Sequence, residues 1–95
     1  MSATEHAVVI SYDISHNRTR RKVADRLEEV LCRVQKSVFE GRLKRKNADN
    51  LFDEIAAMLD TGDNLRMYVL TKAGLENSRS RGGAPLPEET DFWLL

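Results

Sequence analysis

Residues 7–13, Ala7-Val8-Val9-Ile10-Ser11-Tyr12-Asp13, form a β-branched run that is mostly apolar on both alternating faces, Val8/Ile10/Tyr12 and Ala7/Val9/Ser11. A strand of this kind has to be covered on both sides. That requirement is demanding for a chain of 95 residues. Such a length buries roughly 60–65% of its unfolded surface, enough for one core with one layer of helices on one sheet.

The rest of the chain supplies that layer. Asn17 can cap a helix reaching about Leu31, with Val23, Ala24, Leu27, Val30 and Leu31 at helical spacing on one buried stripe. From Arg33 to Leu43 the pattern alternates again, with Gln35, Ser37 and Phe39 on one face and Val34, Lys36 and Val38 on the other. A second helix begins near Asn47, turns Leu51, Phe52, Ile55, Ala56 and Leu59 to the core, and stops where Gly62 suits a left-handed terminal position. Residues 65–71 read as a further strand. Residues 72–90 read as a polar linker with a short strand around 78–81, and residues 91–95, Asp-Phe-Trp-Leu-Leu, as a terminal strand.

The order strand, helix, strand, strand, helix, strand predicts one α+β domain over residues 1–95, a ferredoxin-like split βαββαβ sheet with both helices on one face. The other face is then bare, although the first strand demands cover on both sides. A two-fold homodimer solves this, with the apolar tail exchanged as an added strand on the partner's sheet edge. The alternative is a tail that folds back on its own sheet.

Composition narrows the function. The chain is 41% apolar, with no run near the ~18–20 residues of a membrane span, and its start lacks a signal-peptide pattern, so a cytoplasmic protein without a membrane partner is expected. The single cysteine, Cys32, cannot form an internal disulfide and is expected to be a small buried hydrophobe. Fifteen Lys+Arg balance fifteen Asp+Glu. Residues 1–50 hold 11 basic and 7 acidic side chains and residues 51–95 hold 4 and 8, so the halves carry +4 and −4. Phosphate responds to the local patch and not to the zero sum.

The basic half has a focus. Arg18, Arg20, Arg21 and Lys22 crowd a helix start, where each exposed cation is disfavoured by about 0.3–1 kcal/mol. The same helix start attracts phosphate, since free backbone N–H groups and guanidinium forks converge on one anion. Asp13 precedes this cluster directly, and a lone carboxylate beside cations points to metal-assisted handling of phosphate. Arg42, Lys44, Arg45 and Lys46 form a second run that would extend the track, unless both runs are merely solvated faces.

These residues resemble a known family. Val8-Val9-Ile10-Ser11-Tyr12-Asp13-Ile14, Arg20-Arg21-Lys22-Val23-Ala24 and above all Arg33-Val34-Gln35-Lys36-Ser37-Val38-Phe39-Glu40-Gly41 are similar to the small CRISPR-associated proteins called Cas two, as is Gly82-Gly83 before an acidic and aromatic tail. The resemblance implies a ferredoxin-like homodimer with exchanged tails that holds duplex DNA between copies of the CRISPR integrase during spacer acquisition. It also implies a metal-dependent nuclease acting on RNA or double-stranded DNA. Asp13 matches the metal position, where two chains would share one Mg²⁺ across the dimer axis, and Ser37 and Phe39 match positions tied to activity. Arg18, Arg20, Arg21 and Lys22 would contact phosphates without reading bases. Where many relatives carry acidic residues after the strand, this chain has Ser15-His16-Asn17, which leaves His16 as the one general-base candidate. A non-catalytic DNA scaffold and a toxin-like ribonuclease of the same fold are the competing readings.

Overall fold

The structure, a computed structural model, describes residues 4–87. The order is β1 (Glu5–Asp13), α1 (Asn17–Glu28), β2 (Cys32–Gln35), β3 (Val38–Lys44), α2 (Arg45–Ala56), β4 (Asn64–Leu70) and a short α3 (Lys72–Glu76). The strands form one antiparallel sheet in the order β2-β3-β1-β4, the ferredoxin-like α+β arrangement.

β1 lies inside the sheet, paired along nearly its whole length with β3 and β4. Its Val8, Ile10 and Tyr12 are buried together with Phe39 of β3, Val23, Ala24 and Leu27 of α1, and Ala48, Leu51 and Ile55 of α2. Both helices therefore cover the same face. On the other face Val9 stands level with Glu40 and Tyr68, and Tyr68 is 49% exposed. Gly41 allows the helix layer to close, because a Cβ there would meet Leu31 Cδ2 at 2.6 Å. Gly62 takes a φ of 95° in the turn between α2 and β4, the left-handed region that favours glycine.

Several elements depart from the sequence pattern. The alternating stretch 33–43 is not one strand but the β2–β3 hairpin, folded at Lys36-Ser37 with a register shift between Arg33 and Gln35. Neither turn residue is a Gly or Asn, so the usual hairpin signal is missing. Val30 leaves the predicted stripe and is 42% exposed. The N–H groups of Val30 and Leu31 both donate to the Leu27 carbonyl, at 3.1 and 2.8 Å, in a turn that returns only Leu31 to the core. Cys32 is exposed rather than buried, because β2 is the outermost strand. The predicted linker opens with α3, capped by Thr71 Oγ1 accepting from the Gly74 N–H at 2.9 Å, and residues 78–81 form no strand. The tail 91–95 lies outside the described residues.

Phe39, fully buried and stacked 6.2 Å from the Tyr12 ring, joins the hairpin to β1. Replacing it with alanine should lower stability by about 3–5 kcal/mol, a large share of the about 5–15 kcal/mol that holds a small domain together. Urea denaturation of Phe39→Ala checks this, and a loss under about 1 kcal/mol would contradict the packing.

Candidate nucleic-acid and metal site

Asp13 ends β1 opposite Asn64 of β4, and the chain turns at once through Ile14 and Ser15 into α1. Two devices hold that turn. The Ser15 N–H donates to Asp63 Oδ1 at 3.3 Å, while Asp63 Oδ2 accepts from the Asp60 N–H at 2.9 Å. Arg20 reaches back from α1, donating through Nη1 to the carbonyls of Ile14 (2.7 Å) and Ser15 (3.4 Å) and through Nη2 to Asn17 Oδ1.

The hairpin turn closes the other side. The Lys36 carbonyl accepts from Tyr12 OH at 3.3 Å and from Arg33 Nε and Nη2 at 3.0 and 2.7 Å. The Tyr12 N–H donates to the Ser37 carbonyl at 3.2 Å. Arg33 also pairs with Glu28 at 3.3 Å and lies 5.4 Å over the Phe39 ring, a distance at which cation–π attraction operates. Between the two turns opens a cleft of about 510 Å³ whose lining includes Tyr12, Asp13, Arg20, Arg33, Lys36 and Ser37.

The predicted residues divide by what they touch. Asp13 and Ser37 share the cleft. Phe39 lies beneath it, wholly buried, and acts on it only by supporting Tyr12 and Arg33. Arg18, Arg21 and Lys22 are exposed at the start of α1, without an ion pair or hydrogen bond from their side chains among the described residues. Arg20 differs from these three in that it lines the cleft while its Nη1 and Nη2 donate to the loop it clamps. Asn17 is not the cap; His16 holds that position, and its side chain makes no capping bond. The exposed His16 ring also makes no hydrogen bond among the described residues, while its carbonyl accepts the Arg20 N–H at 2.9 Å.

Sequence patterning missed Tyr12, Arg33, Lys36 and Asp63 as site residues. Tyr12 and Arg33 sat inside strand patterns, and Asp63 looked like an ordinary turn residue. The second basic run also lies elsewhere. Lys44 pairs with Glu5 at the opposite end of β1 from Asp13, about 26 Å away at the rise of an extended strand, so the two runs do not form one continuous track.

Among the described residues no three His, Cys, Asp or Glu side chains gather around a point. The Asp13 carboxylate is exposed and unpaired among those residues. With the Ser37 hydroxyl in the same cleft, the donors are hard oxygens. They fit an Mg²⁺ ion that leaves most of its coordination to water and phosphate.

Burial pushes the Tyr12 phenol above the ordinary tyrosine value of 10.0, and the neighbouring Arg33 offsets part of that rise. The group's folded value is raised, so its contribution to stability is full below the unfolded value and is lost as pH climbs from there through the folded one. In a Tyr68→Phe background, tyrosinate absorbance should show Tyr12 ionising late, and Arg33→Gln should move it later still. A downward move on that substitution would overturn the contact.

The family model described as CRISPR associated protein Cas2 matches residues 6–78. A Synechocystis sp. protein named CRISPR-associated endoribonuclease Cas2 2 is 33% identical over 89 residues, covering 92% of this chain and 96% of that protein. Among solved structures, a hypothetical protein TT1823 from Thermus thermophilus aligns with a TM-score of 0.74 at 32% identity, over 90% of this chain and 100% of that one. A chain of a partial Cas6-RT-Cas1-Cas2 complex aligns at 0.68 and 28% identity, over 95% and 99%. The matched span contains the β1 end, the start of α1 and the hairpin that together build the cleft, and the chain belongs to the CRISPR-associated Cas2 family.

Proposed function

We propose that this chain acts in CRISPR adaptation as a homodimer that holds duplex DNA beside an integrase subunit, and that it hydrolyses phosphodiester bonds of RNA or DNA with Mg²⁺. The observation that carries the reading is the unpaired Asp13 carboxylate in a cation-lined cleft, directly before the exposed Arg18, Arg21 and Lys22. Family membership and the likeness to a chain in a Cas1-containing complex support the adaptation role. The endoribonuclease name of the Synechocystis relative supports the nuclease role.

Each residue has a limited task in this reading. Arg18, Arg21 and Lys22 bind backbone phosphates and place a strand over the cleft, without selecting its sequence. Asp13, with its mate from a second subunit, holds the metal, while Ser37 hydrogen-bonds a water or phosphate oxygen. Bound there, Mg²⁺ supplies charge neutralisation at the scissile phosphate and a more acidic water. Arg33 and Tyr12 hold the turn that carries Ser37, and Arg20 and Asp63 hold the loop that carries Asp13. Tyr68, 49% exposed beside Val9 on the face away from α1 and α2, supports the dimer, since a second copy would cover an exposed aromatic there.

The test is cleavage of labelled duplex DNA and single-stranded RNA in Mg²⁺ or EDTA, comparing parent with Asp13→Asn. Cleavage should need Mg²⁺ and fall about a hundredfold in the variant, the loss expected when several kcal/mol of charge stabilisation disappears. Duplex binding should stay unchanged in Asp13→Asn and weaken in Arg18→Gln/Arg21→Gln/Lys22→Gln. Equal cleavage by both proteins would remove the nuclease reading and leave the DNA-holding one.

A further inference from the structure

The sheet face turned away from α1 and α2 is closed at one end only. Ala7 points to that face yet is 2% exposed, with α3 packed against β1 and β4 at the end where Leu70 stands level with it. Beyond α3, towards Asp13, lie two levels of side chains: Glu40, Val9 and Tyr68 on one, and Val38, Ser11 and Arg66 on the next. Glu40 and Arg66 are the charged members, and neither is matched within the chain. The half-buried Glu40 carboxylate makes no ion pair among the described residues. Arg66 is exposed and equally without an acidic partner there; its Nη1 reaches along β4 to Tyr68 OH at 3.2 Å, which brings the guanidinium to the level of Glu40. The two do not meet in one chain, because β3 and β4 lie two strand spacings, ~10 Å, apart with Val9 between them.

A carboxylate covered without an opposite charge is strongly disfavoured, so a cover over this part of β3 calls for a cation. A second copy supplies one. Two sheets related by a two-fold axis along β1 set each β3 over the partner's β4. Val9 and Ser11 then meet their own mates, and each Glu40 faces Arg66 and Tyr68 of the partner subunit. Stacked sheets lie about 10 Å apart, a gap that glutamate and arginine side chains from opposite sheets span together. The same axis brings both Asp13 carboxylates to one end, as a shared metal requires, whereas an axis across the middle of the strands would set β3 over β3 and carry the two Asp13 residues to opposite ends.

We propose that Glu40 and Arg66 select the second copy. Each Glu40 carboxylate pairs with the guanidinium of the partner's Arg66, twice per dimer, so a chain with another charge pattern at these positions is rejected. The inference rests on the homodimer reading above and names the residues that decide which chain completes the dimer.

The experiment weighs full-length chains, one of each mixture isotope-labelled, by native mass spectrometry over a concentration series. The parent should be dimeric. Glu40→Arg and Arg66→Glu each oppose like charges twice, so each alone should dimerise about tenfold or more weakly than the parent. Mixed together, those two variants should recover parent-level affinity as a heterodimer, because the charges at both contacts are again opposite, and that recovery also shows both to be folded. The combined variant Glu40→Arg/Arg66→Glu should pair with itself and exclude the parent chain. Parent-level homodimers of either single variant overturn the pairing, as does failure of both the mixture and the combined variant to dimerise. A parent that is itself monomeric throughout the series removes the homodimer reading, and the inference falls with it.

Discussion

The structure depends on the inward position of β1. It pairs with β3 along one edge and β4 along the other while Val8, Ile10 and Tyr12 face the helices, and the positions of both sheet ends follow from that. Asp13 is carried to one end of the sheet, beside the hairpin turn, and Glu5 to the other, beside Lys44. The same strand supplies Tyr12, whose ring packs on Phe39 in the core while its hydroxyl reaches the Lys36 carbonyl at the surface. An aromatic residue with one buried and one polar end is suited to tie packing to a site.

The cations around the cleft are not interchangeable. Arg20 and Arg33 both donate to backbone carbonyls; Arg20 adds the Asn17 side chain, and Arg33 adds Glu28 and the Phe39 ring. Satisfying several acceptors at once requires the planar, multi-donor guanidinium, so lysine would be a poor substitute at either position. Arg18, Arg21 and Lys22 have no comparable engagement among the described residues and keep their donors for solvent or a ligand. A cation near a phosphate site is therefore informative only once its own partners are known. By the same logic the Arg26–Glu54 contacts, at 2.8 and 3.1 Å, belong to the joint between α1 and α2. Arg26 holds the Glu54 carboxyl below its usual value there.

What could be read from the sequence follows from the period of each pattern. The strand at 7–13 and the two helices carry long, regular apolar repeats, and these gave the ferredoxin-like fold class and the helices on one face correctly. The predicted order already holds two strands between the helices, but their turn was not located, because Lys36-Ser37 lacks turn chemistry and the alternating pattern runs straight through the reversal of direction. Val30 and Cys32 were misplaced for a related reason: apolar character alone does not show that a helix has ended or that a strand is outermost. At the site, Asp13 and the free cations were legible as misfits against local preference. Asp63 and the supporting role of Arg33 were not, because both act through backbone groups brought near only by the fold.

Zero net charge conceals a deliberate separation. The +4 and −4 halves of the chain do not become two simple faces, since the β3–α2 junction sends cations of the first half to the opposite end of β1 from Arg18. The helix layer between those ends carries Asp25, Glu28, Glu29, Asp53 and Glu54, of which Glu28 pairs with Arg33 and Glu29 and Glu54 pair with Arg26. At an ionic strength near 0.15 M the Debye length is about 8 Å, well short of the roughly 26 Å between the two basic ends. Each end is therefore felt by an approaching phosphate almost independently of the other. The neutral total limits indiscriminate attraction to polyanions, and affinity is left to the few positions where unpaired cations are concentrated.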